Sequence, residues 1–265
     1  MKYLQGVLFD WAGTTVDYGC MAPVGSFMDM FAEKGIQVSM EETRQPMGMA
    51  KIDHIRTMLE MPGIYSQLGN QKISEKDITE MNERFEQLLF KNLADYADPV
   101  PGAVAAVEEI IDMDLKIGTT TGYTRDMMKI VQAGAAEKGY APDIVITAED
   151  VGAGRPFPWM AYAAAMKMGV YPMNRIVKVG DTVMDMKEGR NAGAWTVGLV
   201  YGSSEFGLTQ TETKQLSEQD RLSRAAEVRK RLIEAGAHHV LDTIADLPAY
   251  LKELDHQLSQ QEVLV

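Results

Sequence analysis

The sequence predicts an α/β protein whose core is a doubly wound parallel sheet (Rossmann-like), with a small all-helical domain inserted after the first strand. Three observations lead to this prediction. Short apolar runs alternate with helical patterns along most of the chain. Polar residues directly follow four of these runs. One long stretch after the first run has helical patterns but no candidate strand.

Five short apolar runs have the length and composition of strands that are buried on both faces of a parallel sheet. They are Leu4–Asp10, Leu115–Thr121, Ile144–Thr147, Ile176–Gly180 and Trp195–Val200. Helical patterns lie between the later runs, at Thr124–Lys138, Trp159–Met168 and Val183–Asn191. Beyond the last run, the charged tract Glu212–Glu234 predicts a solvated amphipathic helix. Ligands of doubly wound sheets bind beyond the carboxyl ends of the strands, where the polar residues cluster.

The stretch from Cys20 to Asp98 interrupts this alternation. Its patterns predict helices near Ala22–Lys34, Lys51–Glu60 and Ser74–Asn92. A run of turn formers, Asp98-Pro99-Val100-Pro101-Gly102, marks the return to the core. We therefore predict two domains, a core of residues 1–19 and 99–265 and a helical insertion of residues 20–98.

Composition excludes several classes of function. A net charge of -12 leaves no basic face for a nucleic acid or an anionic membrane. No apolar run approaches the roughly 18 residues of a membrane span, and Met1-Lys2-Tyr3-Leu4 does not begin a secretory signal. The single cysteine, Cys20, excludes an internal disulfide and is typical of a reducing compartment. We expect a cytoplasmic protein that acts on a small molecule.

The run from Val7 to Thr15 ends a predicted strand in one carboxylate, Asp10, followed by a glycine and two hydroxyls. It resembles the first motif of the haloacid-dehalogenase-like superfamily, whose first aspartate is a nucleophile that can form an aspartyl-phosphate. The helical insertion likewise looks like the cap domain of that superfamily. Most members that cleave phosphate esters carry a second aspartate two residues later, where this chain has Ala12. The resemblance implies that Asp10 attacks phosphorus and that the leaving group does not depart as an alkoxide; the alternative for Asp10 is a helix cap.

Asp181 and Asp185 predict a metal site. Their i, i+4 spacing after a predicted strand puts both carboxylates on one face of a helix start. Hard oxygen ligands of this kind suit Mg²⁺. Acids at helix starts are common without a metal. The segment resembles the fourth motif of the same superfamily, which implies that Asp10, Asp181 and the backbone carbonyl of Ala12 bind Mg²⁺ and that Asp185 supports it through water.

Three further residues are candidates for binding phosphoryl oxygens. Thr121 ends a predicted strand, and Gly122 allows its amide to approach a ligand closely. Arg155 occupies the place of the superfamily's third-motif cation, and a guanidinium can bind phosphoryl oxygens through two nitrogens. The alternatives are an ordinary helix cap for Thr121 and a surface position for Arg155.

Lys51 and His54 lie three residues apart at the start of a predicted cap helix, after the turn formed by Pro46 and Gly48. A lone lysine on a helix is usually a solvated surface charge. In a cap that closes over the nucleophile, the amine can instead condense with a substrate carbonyl to give a protonated imine. The imine would accept the electrons of a breaking P–C bond, so no leaving oxygen needs a proton. This chemistry explains why position 12 carries alanine instead of an acid.

Together these motifs resemble the phosphonoacetaldehyde hydrolase family of that superfamily over about residues 5–205. The matching segments are Phe9–Cys20, Pro46-Met47-Gly48, Lys51–His54, Thr120–Arg125, Gly154-Arg155-Pro156 and Lys178–Thr182. The resemblance implies a homodimer that cleaves phosphonoacetaldehyde to acetaldehyde and phosphate, through a Schiff base on Lys51 and an aspartyl-phosphate on Asp10. It also implies that Cys20, Met47, Gly48 and Tyr123 line the substrate pocket and that His54 moves protons to and from the imine.

Two kinds of alternative function stay open. A phosphatase or haloacid dehalogenase of the same superfamily would share the fold. A dehalogenase also lacks an acid at position 12 but needs no metal, so Asp181, Asp185 and Lys51 count against it. A non-catalytic binder of a phosphorylated or phosphonate metabolite is compatible with the fold alone. It would have no need for the carboxylate of Asp10 facing phosphorus.

Overall fold

The computed structural model describes residues 1–69 and 71–262. Within them lies a six-stranded, all-parallel sheet with the strand order β3-β2-β1-β4-β5-β6. The strands are β1 (Gly6–Phe9), β2 (Lys116–Thr121), β3 (Val145–Thr147), β4 (Ile176–Gly180), β5 (Trp195–Leu199) and β6 (His239–Leu241). The predicted doubly wound α/β core is confirmed. Residues 70 and 263–265, which belong to the predicted cap and core, lie outside the described residues.

Between β1 and β2 the described part of the predicted cap contains helices and no strand. These helices are α1 (Met21–Glu33), α2 (Met40–Arg44), α3 (Lys51–Leu59), α4 (Pro62–Gln67) and α5 (Glu75–Asn92). They bury Phe27 and Phe85, whose rings stack 4.0 Å apart. The same apolar cluster includes Trp11 and Tyr123 from the core, so the cap and the core share one buried interface. The division into two domains at residues 20 and 98 stays a prediction.

The remaining helices cover both faces of the sheet. They are α6 (Ala103–Asp112), α7 (Arg125–Ala136), α8 (Ala148–Val151), α9 (Trp159–Met168), α10 (Val183–Ala192), α11 (Gln210–Gln215), α12 (Glu218–Glu234) and α13 (Leu247–Glu262). Successive side chains of a strand point to opposite faces. Val7 and Phe9 therefore pack in one cluster with Leu251 of α13, whereas Leu8 packs in another with Met160 of α9. None of the described helices is long and apolar enough to cross a membrane.

Two predictions for the C-terminal part were wrong. The sequence analysis missed β6, in which only Val240 and Leu241 are apolar and polar residues flank them on both sides. The tract Glu212–Glu234 is not one helix but parts of two, α11 and α12. The break occurs because Leu216 adopts an extended conformation and Ser217 starts α12, with its side chain accepting a hydrogen bond from the Asp220 N–H.

Two linkers join the cap to the core side by side, and they meet where the Asp17 N–H donates to the Asp98 carbonyl at 3.1 Å. The Asp17 carboxylate accepts hydrogen bonds from the N–H groups of Met21 and Ala22, at 2.9 and 3.0 Å. These bonds satisfy free donors at the start of α1. The first cap helix is therefore tied directly to the segment that follows β1.

Candidate active site

The predicted site residues meet at the carboxyl ends of β1, β2 and β4, which are neighbours in the sheet. A small cavity of about 20 Å³ lies there, room for roughly one water molecule. It is lined by core and cap residues together: Asp10, Ala12, Cys20, Met47, Gly48, Lys51, Thr121, Gly122, Tyr123, Arg155 and Thr182. Every residue predicted to bind substrate lines this cavity. Thr182 is an additional lining residue that the sequence analysis did not single out.

Asp10, Asp181 and Asp185 form a buried acidic cluster beside the cavity. One oxygen from each lies within 4.8 Å of the others, a spacing that can hold a metal ion. Asp181 is fixed by two donors, the Thr14 hydroxyl at 3.0 Å and the Ser204 N–H at 2.6 Å. An all-carboxylate donor set of this kind suits a hard divalent cation.

The ionisation of these three acids also points to a bound cation. Burial raises the pKa of Asp10, and burial together with the carboxylates of Asp10 and Asp185 raises the pKa of Asp181 well above its ordinary value. Burial opposes ionisation of Asp185 as well, but Arg155 and Lys178 outweigh it, and the pKa of Asp185 is lowered. A divalent ion would remove the mutual repulsion of the first two acids.

Two buried cations face this cluster. Arg155 places Nη2 at 2.7 Å from Asp10 Oδ1 and Nε at 3.0 Å from Glu188 Oε2. Lys178 places Nζ at 2.9 Å from Asp185 Oδ1 and at 3.2 Å from Glu188 Oε2. Four buried carboxylates thus surround two buried cations. One divalent ion would balance this excess of negative charge.

The sequence analysis missed Lys178 and Glu188, although Lys178 carried a signal. It lies inside β4, a strand that is buried along its whole length. A lysine is almost never fully buried unless it is paired, so a charge in the middle of an apolar strand marks a buried ion pair. Glu188 gave no comparable signal because acids on helices are ordinary surface residues.

Lys51 is the first residue of α3, and only 7% of it is exposed. Its Nζ lies 4.9 Å from the centre of the Tyr123 ring. Burial lowers the pKa of Lys51, and the positive charge of Arg155 adds to this effect, whereas Asp10 opposes it. A larger fraction of the amine is therefore neutral, and so nucleophilic, than for a surface lysine at the same pH.

His54 is buried within the cap and is not among the residues that line the cavity. Its ring stacks on Phe27 at 4.0 Å, and Nε2 lies 2.9 Å from the Thr43 carbonyl. Because a carbonyl only accepts, Nε2 carries the proton and Nδ1 is the free base. Burial and the charge of Lys51 lower the pKa of His54 well below its ordinary value, so the ring is neutral. The proton-transfer role of His54 stays a prediction.

The neutral polar groups of the cavity are arranged to bind rather than to react. Thr121 Oγ1 accepts the Tyr123 N–H at 3.1 Å, which leaves the hydroxyl proton free to be donated. Burial raises the pKa of the Cys20 thiol well above its ordinary value, so the thiol is neutral. Met47 packs with Cys20 in a small apolar cluster at the cap side of the cavity.

The cap loop that carries Gly48 touches the core by backbone contacts. Arg155 Nη1 donates to the Gly48 carbonyl at 3.3 Å. A Cβ on Gly122 would lie 2.7 Å from the Met49 carbonyl oxygen, and one on Gly48 would lie 2.5 Å from Thr182 Oγ1. Both glycines are therefore needed for the close approach of cap and core.

Comparisons with known proteins show the family to which this chain belongs. A model of haloacid dehalogenase-like hydrolases matches residues 4–193. Phosphonoacetaldehyde hydrolases of Bacillus cereus and Bacillus cytotoxicus are each 49% identical over 257 residues, which cover 96% of this chain and 97% of those proteins. The crystal structure of a phosphonoacetaldehyde hydrolase-like protein from Oleispira antarctica has a TM-score of 0.94 at 36% identity, covering 97% of this chain and 95% of that one. The chain is thus an enzyme of the haloacid dehalogenase-like hydrolases and belongs to the phosphonoacetaldehyde hydrolase family.

Proposed function

We propose that this enzyme hydrolyses the P–C bond of phosphonoacetaldehyde to acetaldehyde and phosphate, through a Schiff base on Lys51 and an aspartyl-phosphate on Asp10. One observation carries the proposal: a buried amine and a buried carboxylate line the same cavity, and Ala12, which also lines it, offers no acid. The names of the relatives that are 49% identical support the same substrate.

Lys51 is the nucleophile of the first step. Its neutral amine adds to the aldehyde carbon, water leaves, and the protonated imine forms. The pKa of Lys51, which burial lowers, makes the neutral amine available for this addition. The Tyr123 ring beside Nζ stabilises positive charge there through its π face. The imine nitrogen then lies two bonds from the carbon that bears phosphorus.

Asp10 is the nucleophile of the second step. Its carboxylate attacks phosphorus, and the electrons of the P–C bond move into the iminium to give an enamine. Arg155, 2.7 Å from Asp10, and the donors of Thr121 and Gly122 bind the phosphoryl oxygens in this step. Water then hydrolyses the aspartyl-phosphate to phosphate. Protonation of the enamine carbon and hydrolysis of the imine release acetaldehyde and restore Lys51.

We propose Mg²⁺ as the cation of the acidic cluster. Asp10, Asp181 and the backbone carbonyl of Ala12 would hold it directly, and Asp185 would support it through water. The buried carboxylate oxygens and the excess of negative charge around them fit this ion. When bound, Mg²⁺ reduces the repulsion between an anionic nucleophile and an anionic phosphoryl group.

Reductive trapping tests the imine. Borohydride together with phosphonoacetaldehyde or acetaldehyde should inactivate the enzyme and alkylate Lys51, which peptide mass mapping would locate. Protonation of the amine stops the condensation, so trapping should fall as the pH falls. Because burial lowers the pKa of Lys51 below its ordinary 10.5, trapping should persist to lower pH than the ordinary pKa of a lysine would allow. Alkylation of other lysines only, with activity retained, would overturn the Schiff base.

A turnover assay tests the function as a whole. Phosphate and acetaldehyde should appear in equal amounts, over many turnovers, and a chelator should stop both. A non-catalytic binder would release neither product beyond one equivalent. A phosphatase would instead release phosphate from a simple phosphate ester faster than from the phosphonate.

We further propose a homodimer that forms through the outer face of α9. Trp159 and Met166, seven residues apart on this helix, are both exposed, Met166 to 82%. Tyr171, just beyond the helix, is 85% exposed. Exposed apolar residues grouped in this way mark a protein interface. Sedimentation should show a dimer that Met166→Glu weakens, and an unchanged dimer would exclude this face. The cytoplasmic location stays a prediction.

A further inference from the structure

Arg44, the last residue of α2, reaches from the cap to two segments of the chain outside it. Its Nη1 donates to the Gly19 carbonyl at 2.8 Å and to the Ser204 carbonyl at 3.1 Å. Its Nη2 lies 3.2 Å from the Met21 sulfur. In the described part of the chain no carboxylate lies within ion-pair distance of the guanidinium. The guanidinium of Arg44 therefore donates its hydrogen bonds mainly to backbone carbonyls.

Both of these carbonyls belong to segments that lead directly to the candidate active site. The Gly19 carbonyl is part of the peptide that joins Gly19 to Cys20, and Cys20 lines the cavity. Ser204 donates its backbone N–H to Asp181 Oδ2 at 2.6 Å, which is a short bond to an acid of the metal cluster. A single nitrogen of Arg44 thus bridges the cap linker and the loop that carries Ser204, which the bond from the Gly19 N–H to the Gly202 carbonyl at 2.7 Å also joins.

The cap segment that follows Arg44 also leads to the site. Helix α2 ends at Arg44, and the loop that follows carries Met47 and Gly48 into the cavity before α3 begins at Lys51. Whatever fixes the end of α2 on the core therefore also fixes the start of this loop.

We propose that Arg44 is a positioning residue that couples docking of the cap to metal binding by Asp181, through the backbone of Ser204. The inference rests on the proposed metal site. Docking of the cap presents the guanidinium to Ser204, whose N–H then holds the Asp181 carboxylate in the orientation that binds the ion. Coupling between two equilibria is reciprocal, so bound metal also favours the docked cap.

The chemistry of arginine suits this task. The planar guanidinium presents several N–H groups in a fixed arrangement, whereas a lysine ammonium is a flexible point donor. The core makes room for it at Gly207, where an added Cβ would lie 3.2 Å from Arg44 Nε. Lysine at position 44 should therefore keep the charge but only part of the coupling.

Calorimetric titration of the substrate-free enzyme with MgCl₂ tests the coupling. Arg44→Met should weaken Mg²⁺ binding about tenfold, the lower end of what loss of an outer-shell partner costs, and Arg44→Lys should weaken it less. The control is Arg84→Met, which removes a cap arginine that pairs with Glu33 at 2.6 Å on the surface. This control should bind Mg²⁺ within twofold of wild type. If Arg44→Met also binds Mg²⁺ within twofold of wild type, the proposal is overturned.

Hydrogen exchange supplies a second readout that a purely structural loss would not reproduce. In wild type, Mg²⁺ should slow exchange at the Ser204 amide and at the amides of the linker around Gly19. In Arg44→Lys, which keeps the charge and is the safer variant for folding, this protection should fall at least fivefold at both places together. If Mg²⁺ slows exchange in Arg44→Lys as much as in wild type, both at Ser204 and around Gly19, the coupling is overturned. Wild-type enzyme that binds no Mg²⁺ at all would instead refute the proposed metal site.

Discussion

The cap loop approaches the backbone of the core closely at Gly122, and an added methyl there should displace this loop. A Cβ on Gly122 would lie 2.7 Å from the carbonyl oxygen of Met49 and 3.3 Å from that of Gly48. A carbonyl in the backbone cannot rotate aside as a flexible side chain can, so the cap loop must move by roughly half an ångström or more. Gly122 itself has no positive φ, so alanine does not strain its own backbone.

The displaced loop precedes Lys51, so the cost should appear in catalysis. Misplacement of about 1 Å in an active site can lower a rate about 100-fold, equivalent to about 2.7 kcal/mol. We expect Gly122→Ala to lower kcat/KM by about that factor while the free energy of unfolding changes by less than about 1 kcal/mol. Since alanine keeps the backbone N–H of position 122, the loss would not come from a missing phosphoryl donor.

Steady-state kinetics and denaturant unfolding of the same samples measure both quantities. The control is Gly25→Ala, in the middle of α1, where an added Cβ meets no atom within 4 Å. It should leave kcat/KM unchanged and stabilise the protein by up to about 1 kcal/mol. If Gly122→Ala keeps more than about a third of the wild-type kcat/KM, the close contact is not needed for catalysis and the reasoning fails.

Three other substitutions test the chemistry and the buried charges. Asp10→Asn should lower kcat by more than about 100-fold, a barrier rise of roughly 3 kcal/mol, yet still allow reductive trapping at Lys51; higher residual turnover would contradict the nucleophile. Ala12→Asp should lower kcat/KM for phosphonoacetaldehyde, because a carboxylate near Lys51 favours its ammonium form, and an equal or faster rate would show that the missing acid is incidental. Kinetics with an aryl phosphate on both proteins would show whether the new acid supports ester cleavage. Lys178→Met should cost about 3–5 kcal/mol of stability in denaturant unfolding, and adding Glu188→Gln should restore part of it. A single-variant cost below about 1 kcal/mol would mean that the pair is not energetically coupled.

The sequence predicted the core of the fold because its strands have a strong and simple signal. A strand buried on both faces, such as β4, needs several adjacent apolar residues, and few other elements produce that pattern. Five of the six strands in the described residues were found in this way. β6, His239–Leu241, has only two adjacent apolar residues, between His239 and Asp242, so it lacks the apolar run by which the equally short β3 was found.

The composition of the cavity could be predicted because parallel strands fix where their ends meet. Asp10 and Asp181 follow β1 and β4, Thr121 ends β2, and β1 lies between the other two strands in the sheet. Topology alone thus brings these three residues together. The cap residues of the cavity were predicted only from the resemblance to a family. No pattern in the sequence of a helical insertion indicates which of its faces touches the core.

Contacts that connect distant elements could not be predicted. Glu188 follows Asp185 by three residues on the same face of α10, but only the structure shows that this face meets Lys178 and Arg155. The same holds for Arg44, whose partners Gly19 and Ser204 lie 25 and 160 residues away in sequence. A charged residue on a helix has an ordinary solvated explanation unless its tertiary neighbours are known.

The proposed mechanism places opposite electrostatic demands on two residues of this cavity. In it, Lys51 must lose its charge to condense with an aldehyde, whereas Asp10 must keep its charge to attack phosphorus. Burial lowers the pKa of Lys51 and raises that of Asp10, so burial alone favours the neutral form of both. In the proposed mechanism, a cation at the acidic cluster, with Arg155 at 2.7 Å, restores the carboxylate of Asp10, and the charge of that carboxylate raises the pKa of Lys51. A carboxylate at position 12, in the same cavity, would add a second anion. In this mechanism the small side chain of Ala12 would therefore serve the amine as well as the leaving group.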